Sequence, residues 1–99
     1  MAQNIIVQTG NPVGYQQLTA DATARALTVP TSANRCIITS ETATYRWRDD
    51  GTDPTSTVGM PITNGQTLTL EDAKSMAQFK AIRTGGTSAA LNISYYIMQ

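Results

Sequence analysis

The residue types that most often carry enzymatic chemistry are scarce in this chain of 99 residues. It has no histidine, so it lacks the commonest general base, the commonest transition-metal ligand and any Ser-His-Asp or Cys-His nucleophilic device. Its two lysines, Lys74 and Lys80, stand without the serine motif of a Ser-Lys enzyme. The acidic residues cluster in predicted loops, which does not favour a carboxylate-pair mechanism. We therefore predict that the chain has no catalytic residues and is not an enzyme.

Three acidic side chains, Asp49, Asp50 and Asp53, form the densest group of possible metal ligands. Together with the carbonyl oxygen of Thr52 they could offer hard oxygen ligands to calcium, but their spacing departs from that of an EF-hand loop. The alternative is that they cap a surface loop and pair with neighbouring arginines. The sequence favours this alternative, and we predict no metal site.

Two further features bear on redox and cofactor chemistry. Cys36 is the only cysteine, which excludes an intramolecular disulfide and a cysteine-based structural zinc site, so we expect a buried, reduced thiol. Gly85 and Gly86 could be imagined as a phosphate cradle, but no Lys-Ser/Thr pair follows them and no helix is predicted there. We interpret this glycine pair as a hairpin turn and expect no cofactor.

Composition and charge exclude further classes of partner. Charged residues make up 14% of the chain, well under the usual share of about 25%. Seven basic and seven acidic residues cancel, and neither sign is gathered in a run, so neither nucleic acid nor a membrane surface is an expected partner. No signal peptide and no apolar run of about 20 residues is visible, which predicts an intracellular, soluble protein.

The hydrophobic pattern predicts an all-β fold. Short apolar runs recur between clusters of Gly, Pro, Asn and Asp, and their connections are too short for helical crossovers. We predict one domain over residues 1–99, an antiparallel, jelly-roll-like β-sandwich of about eight short strands. The predicted extended segments are 4–8, 15–19, 25–29, 35–40, 44–48, 60–62, 66–71, 79–83 and 89–98.

Local signals add turns and leave one question open. Asn64-Gly65 and the segment 84–87 predict hairpins, and the segments 21–25 and 71–77 have the composition of single helical turns. Thr9 to Pro12 reads as a strand breaker. Residues 1–17 are interpreted either as an edge strand of the domain or as an arm that reaches a neighbour.

Strict alternation over 44–48 divides the side chains of that strand between two faces. Tyr45 and Trp47 share one face and Arg46 and Arg48 the other. Because arginines need water, the aromatic face is predicted to be core, although an exposed Trp47 could instead stack on a sugar. The same reasoning gives the full set of predicted core residues, which are Leu27, Val29, Cys36, Ile38, Tyr45, Trp47, Leu68, Leu70, Phe79, Leu91, Ile93 and Tyr95.

Four residues on the opposite faces are candidates for an interface. Arg46 and Arg48 point outward, and arginine is enriched at protein interfaces for its planar set of donors. Tyr96 and Met98 lie opposite the buried side of the last strand and are predicted to form an apolar patch that a neighbouring chain could cover.

Four stretches of the sequence together resemble a known family. They are YRWRDDGTDPT at 45–55, TVGMP at 57–61, IRTGGT at 82–87 and LNISYY at 91–96. The chain resembles small virion proteins of tailed bacteriophages over roughly residues 27–96. This resemblance implies a β-sandwich subunit of the particle, such as a capsid decoration or cement protein, with no catalytic residues to carry over.

The resemblance also implies partners and a location. We expect binding to the major capsid protein or to other virion proteins, at the capsid surface of a virion assembled in the host cytoplasm. Repeated contacts on a symmetric lattice favour a homo-oligomer, a dimer or a trimer. The alternatives are a head-tail connector, a tail or fibre component and, from a different class, a carbohydrate-binding module.

Overall fold

The computed structural model describes residues 10–98, so the predicted strand at 4–8 lies outside the described residues. Eight strands and one short helix follow one another in this part of the chain. They are β1 (Asn11–Ala20), β2 (Arg25–Ala26), β3 (Arg35–Glu41), β4 (Tyr45–Arg48), β5 (Met60–Ile62), β6 (Thr67–Leu70), α1 (Ala73–Gln78), β7 (Lys80–Arg83) and β8 (Ala89–Ile97).

The strands form two antiparallel four-stranded sheets. Sheet A has the order β1-β8-β3-β6 and sheet B has the order β2-β7-β4-β5. The pairs β1 with β8, β2 with β7, β3 with β6 and β4 with β5 are those of one long hairpin. This hairpin turns at the β4–β5 loop and is wound up so that β8 also pairs with β3 and β7 with β4. The result is the topology of a jelly roll, which confirms the predicted fold class.

The same topology shows that both predicted hairpins are wrong. A tight turn does form at Asn64-Gly65, where Gly65 has a φ of 88° and the amide of Gln66 donates to the carbonyl of Thr63 at 3.1 Å. The flanking strands nevertheless belong to different sheets, as do the strands that flank Gly85 and Gly86. Turn residues favour a local reversal of the chain but do not select the strand partner, which long-range packing decides. Among the described strands, only β4 and β5 are consecutive neighbours within one sheet.

Strand β1 begins earlier than predicted. It includes Asn11 and Pro12, which the sequence placed in a breaker. Pro12 is tolerated because β1 is an edge strand, and the pairing with β8 is irregular between Pro12 and Gly14. Of the two interpretations of residues 1–17, the edge strand therefore holds for the described residues 11–17.

The segment that follows β1 also departs from the prediction. No helical turn forms at 21–25. The carboxylate of Asp21 instead accepts hydrogen bonds from the amide of Thr23 at 3.0 Å and from the Arg25 side chain at 2.8 Å. Strand β2 stops at Ala26 rather than continuing to residue 29.

The core lies between the inner faces of the two sheets. Met76 of α1 is buried in it and helps to cover the sandwich beside β3. Among the predicted core residues, Leu27, Val29, Trp47 and Leu68 are half-buried and pack against the core. The other eight are buried, namely Cys36, Ile38, Tyr45, Leu70, Phe79, Leu91, Ile93 and Tyr95.

Candidate interaction surfaces

The outer face of sheet B carries the two arginines predicted to point outward. In this sheet Arg46 pairs with Ile82 and Arg48 pairs with Lys80, so these four side chains share the face opposite Tyr45 and Trp47. The loop 49–59, which joins β4 to β5, lies over this face.

Arg46 fastens that loop to the sheet. Its Nε donates to the carbonyl of Ser56 at 3.2 Å and its Nη1 donates to the carbonyl of Gly59 at 2.8 Å. Pro54, which belongs to the loop, is buried. A Cβ atom placed on Gly59 would lie 3.2 Å from Cβ of Pro54 and 3.3 Å from Cβ of Arg46. The loop and the arginine are therefore in close van der Waals contact.

The three aspartates of the loop each turn to a different partner. The contacts are Ser75 Oγ to Asp49 at 2.5 Å, Arg48 to Asp50 at 2.5 Å and Lys80 Nζ to Asp53 at 2.7 Å. The hydrogen bond from Arg48 is the main cause that lowers the pKa of Asp50. Within residues 10–98, no group of three or more acidic or cysteine side chains could hold a metal ion. The arrangement is that of a fastened loop.

Two apolar side chains stand out at the end of this loop. Val58 is 50% exposed and Met60 is 58% exposed. They line an open cleft of about 410 Å³ whose other wall contains the ion pair of Arg48 and Asp50. Neither residue was among the interface candidates predicted from the sequence. The signal that could have found them is their position at the end of a long turn-rich loop, with Val58 in its last residues and Met60 at the start of the edge strand β5.

The guanidinium groups of Arg46 and Arg48 are therefore occupied within the chain, by the loop carbonyls and by Asp50. Both residues lie on the outer face, as alternation predicts. A partner that approaches this face finds both guanidinium groups already bonded. Met60, which is in register with Trp47, lies on the other side of the edge strand β5.

Trp47 packs against the core of the sandwich. Its ring is half-buried and stacks on Phe79, with the ring centroids 5.7 Å apart and the planes inclined by 24°. The indole N–H is buried and has no hydrogen-bond partner among the described residues. The aromatic stack belongs to the packing between β4 and the segment after α1.

The outer face of sheet A has a different character. The strand registers place its outward side chains in two central rows across β1, β8, β3 and β6. We name these two rows the neutral face. The first row is Tyr15, Ser94, Ile37 and Thr69, and the second row is Gln17, Asn92, Thr39 and Thr67. No member of either row carries a charge.

A hydrogen-bond network orders part of the neutral face. The hydroxyl of Tyr15 donates to Oδ1 of Asn92 at 2.8 Å, and Nε2 of Gln17 donates to the same oxygen at 3.1 Å. Nδ2 of Asn92 donates to the carboxylate of Glu41 at 2.8 Å. Tyr15 is nevertheless 64% exposed. Its ring is thus held at the hydroxyl end and presented to solvent, which reduces the entropy that a partner would have to remove.

The surroundings of Tyr96 and Met98 differ from those of the exposed apolar patch that the sequence predicts. Both are half-buried. Tyr96 continues the outer side of β8 next to the neutral face, whereas Met98 follows the strand end and exchanges two backbone hydrogen bonds with the side chain of Asn34, at 2.7 and 3.2 Å. Its sulfur lies 3.9 Å from Nη1 of Arg35. The more exposed apolar side chains of sheet A are Val13 and Tyr15 on β1.

Cys36, the one thiol of the chain, lies in the core. It is fully buried on β3, and burial raises its pKa to about 11. Burial thus disfavours the thiolate, which is the reactive form of a cysteine. Burial also raises the pKa values of the Tyr45 and Tyr95 hydroxyls.

In the described part of the chain, no helix has the length and apolar character needed to cross a membrane. No protein family, curated protein or solved structure matches the chain in the comparisons with known proteins.

Proposed function

We propose that the protein is a non-enzymatic structural subunit of a tailed-bacteriophage virion, a capsid decoration or cement protein that binds and stabilises the major capsid shell. The observation that carries this proposal concerns the segment 45–61, which bears most of the resemblance to phage virion proteins. Its residues build the loop that Arg46 fastens to sheet B and that ends at the exposed pair Val58 and Met60.

Each part of that segment has a role in such a loop. Arg46 and Gly59 fix the loop to the sheet, and Arg48 and Lys80 donate hydrogen bonds to Asp50 and Asp53 of the loop. A loop that is already ordered loses little conformational entropy when a partner binds. This design suits attachment to a fixed position on another protein.

The binding step would consist of burying Val58 and Met60 against an apolar depression of the shell protein. Burial of two such side chains gives a modest affinity, because each contributes only about 1.5–3 kcal/mol when fully buried. Many copies on one symmetric lattice would raise the overall affinity, since linked weak contacts reinforce one another. A subunit that contacts two neighbouring shell proteins at once would resist their separation.

The experiment mixes the purified protein with expanded, undecorated shells of its own phage and measures co-sedimentation against concentration. We expect saturable binding in a fixed ratio to the shell protein, and a loss of at least tenfold in affinity for the double variant Val58→Ser, Met60→Ser. The matched control is Val13→Ser, an exposed valine on sheet A, which we expect to bind as the parent does. Absence of binding by the parent protein would refute the proposal.

The number of copies in the virion separates shell decoration from a place in the connector or tail. A decoration subunit is expected in hundreds of copies and a connector or tail component in tens, which quantitative gel densitometry of purified particles distinguishes.

A further inference from the structure

We infer that the neutral face, with its flanking rows, is the interface of a symmetric dimer in which sheet A of one copy packs on sheet A of a second copy. This inference concerns self-association and does not depend on the proposed binding to a shell. Its starting point is that five of the eight residues of the neutral face, Tyr15, Gln17, Thr39, Thr67 and Thr69, are exposed, whereas the loop 49–59 lies across the outer side of sheet B.

The charges that flank the neutral face select the second copy as occupant. The outward residues of β3 run from Arg35 through Ile37 and Thr39 to Glu41, so this strand is positive at one end and negative at the other. A two-fold axis that crosses the strands between Ile37 and Thr39 reverses the direction of β3 in the second copy. It places Arg35 opposite Glu41 of the second copy and, by symmetry, Glu41 opposite its Arg35.

Side-chain sizes agree with the same axis. The strand registers put Tyr96 in the row of Arg35 and Ala90 in the row of Glu41, so each Tyr96 would face a small Ala90. Tyr15 and Gln17 lie in adjacent rows of β1, so the exposed tyrosine ring would face a planar amide. A two-fold axis parallel to the strands would instead bring the two Arg35 ends together, which like-charge repulsion disfavours.

The size of the face predicts a weak dimer. With strands about 4.8 Å apart and a rise of about 3.3 Å per residue, seven residues of β1, β8 and β3 and the four residues of β6 cover roughly 400 Å². Two such faces bury roughly 800 Å² in total, which is less than the roughly 1,200 Å² of stable complexes and is typical of weak, transient association. We therefore expect dissociation constants in the micromolar to millimolar range and a dimer favoured where copies are concentrated.

The test is a charge reversal measured by sedimentation equilibrium over a range of concentrations up to about 1 mM, which covers that range of dissociation constants. We expect the parent chain to form dimers, and each of the single variants Arg35→Glu and Glu41→Arg to dimerise at least tenfold more weakly, because each creates two like-charge contacts across the axis. The double variant Arg35→Glu, Glu41→Arg restores the opposite charges and should dimerise within about threefold of the parent.

Restored dimerisation in the double variant would distinguish contacts between the two copies from effects within one chain. Residues 35 and 41 are six positions apart on one strand, a distance of about 20 Å, so the reversed charges cannot pair inside one copy. Arg35 also lies 3.9 Å from the carboxylate of Glu71, and thermal unfolding of each variant at low concentration measures any loss that arises there. Lys74→Glu reverses a charge on the exposed side of α1 and should leave dimerisation unchanged.

A second variant, Ser94→Arg, puts a long charged side chain into the middle of the neutral face and should abolish the dimer while the monomer stays folded. A parent chain that remains monomeric at about 1 mM, a trimer, or a double variant as weak as the singles would each overturn the inference. Shell binding through Val58 and Met60 would stand after any of these outcomes, because Met60 belongs to β5 of sheet B and Val58 to the loop that precedes it.

Discussion

The two outer faces of the sandwich follow the same alternation of side chains and end in opposite states. On sheet B, the outward residues Arg46, Arg48 and Lys80 all bond to residues of the loop 49–59. On sheet A, the outward residues are uncharged in the central rows, and Tyr15 is mostly exposed. The comparison teaches that outward-pointing charge does not mark an available surface. Where a loop of the chain covers a face, the charged side chains of that face bond to the loop. The face that the loop leaves uncovered carries few charged side chains.

The largest effect is expected where the cover of sheet B is tightest. Gly59→Ala should lower the free energy of unfolding by about 3 kcal/mol, because φ at this position is 138° and the new Cβ would press on Pro54, on Arg46 and on the carbonyl of Trp47. Urea denaturation measures the change. Gly85→Ala is the matched control, since a Cβ there would meet open space. Equal losses for the two variants would mean that the loop does not press on the sheet.

A second effect should appear when the fastening side chain is removed. Arg46→Ala deletes two hydrogen bonds from a charged donor to loop carbonyls, and we expect a loss of about 2 kcal/mol in the same measurement. Arg48→Ala removes an ion pair with an exposed aspartate and should cost clearly less. If Arg48→Ala proves the more damaging variant, the loop is held by its base rather than by Arg46.

The two sheets also differ on their inner faces, where each carries a buried tyrosine. Tyr45 lies on sheet B, and its hydroxyl has no hydrogen-bond partner among the described residues. Tyr95 lies on sheet A and donates to Oε1 of Gln16 at 2.6 Å. Tyr45→Phe should therefore raise the free energy of unfolding by about 1 kcal/mol, and Tyr95→Phe should lower it by a similar amount. Thermal and urea unfolding of the pair measure the signs, and a loss in both variants would reveal a partner for the Tyr45 hydroxyl.

The sequence was sufficient for the fold class and for the side-chain faces. Alternation in β4 separated Tyr45 and Trp47 from Arg46 and Arg48, and the short apolar runs between turn residues indicated the antiparallel sandwich that the structure shows. These features depend on the period of the pleat, which is local and regular. They could be predicted because each is decided within a few residues of the chain.

Strand pairing and the position of the loop 49–59 over sheet B could not be predicted from local sequence patterns. The turn at Asn64-Gly65 forms as its residues dictate, but packing of the whole sandwich sends the strands on either side into different sheets. The partners of Arg46 lie ten and thirteen positions further along the chain, in a loop with no periodic pattern. Neither the bonds to its carbonyls nor the exposure of Val58 and Met60 follows from residue type alone. Long-range contacts decide these features, and a single sequence does not encode them in its spacing.

The smallest effect is expected on the neutral face, and it is the sharpest check that this face is open. Thr39→Lys places a charge on an exposed position of β3 and should change the free energy of unfolding by less than about 0.5 kcal/mol when measured at low concentration. Ile82→Lys is the matched change on the outer face of sheet B, where the half-buried isoleucine lines a cleft together with Pro54. Ile82→Lys should lower the free energy of unfolding by several times that amount, because the lysine would have to displace the loop that covers position 82. If the two variants are equally destabilised, some part of the chain covers both faces, and the contrast between the sheets would no longer identify a surface for a partner.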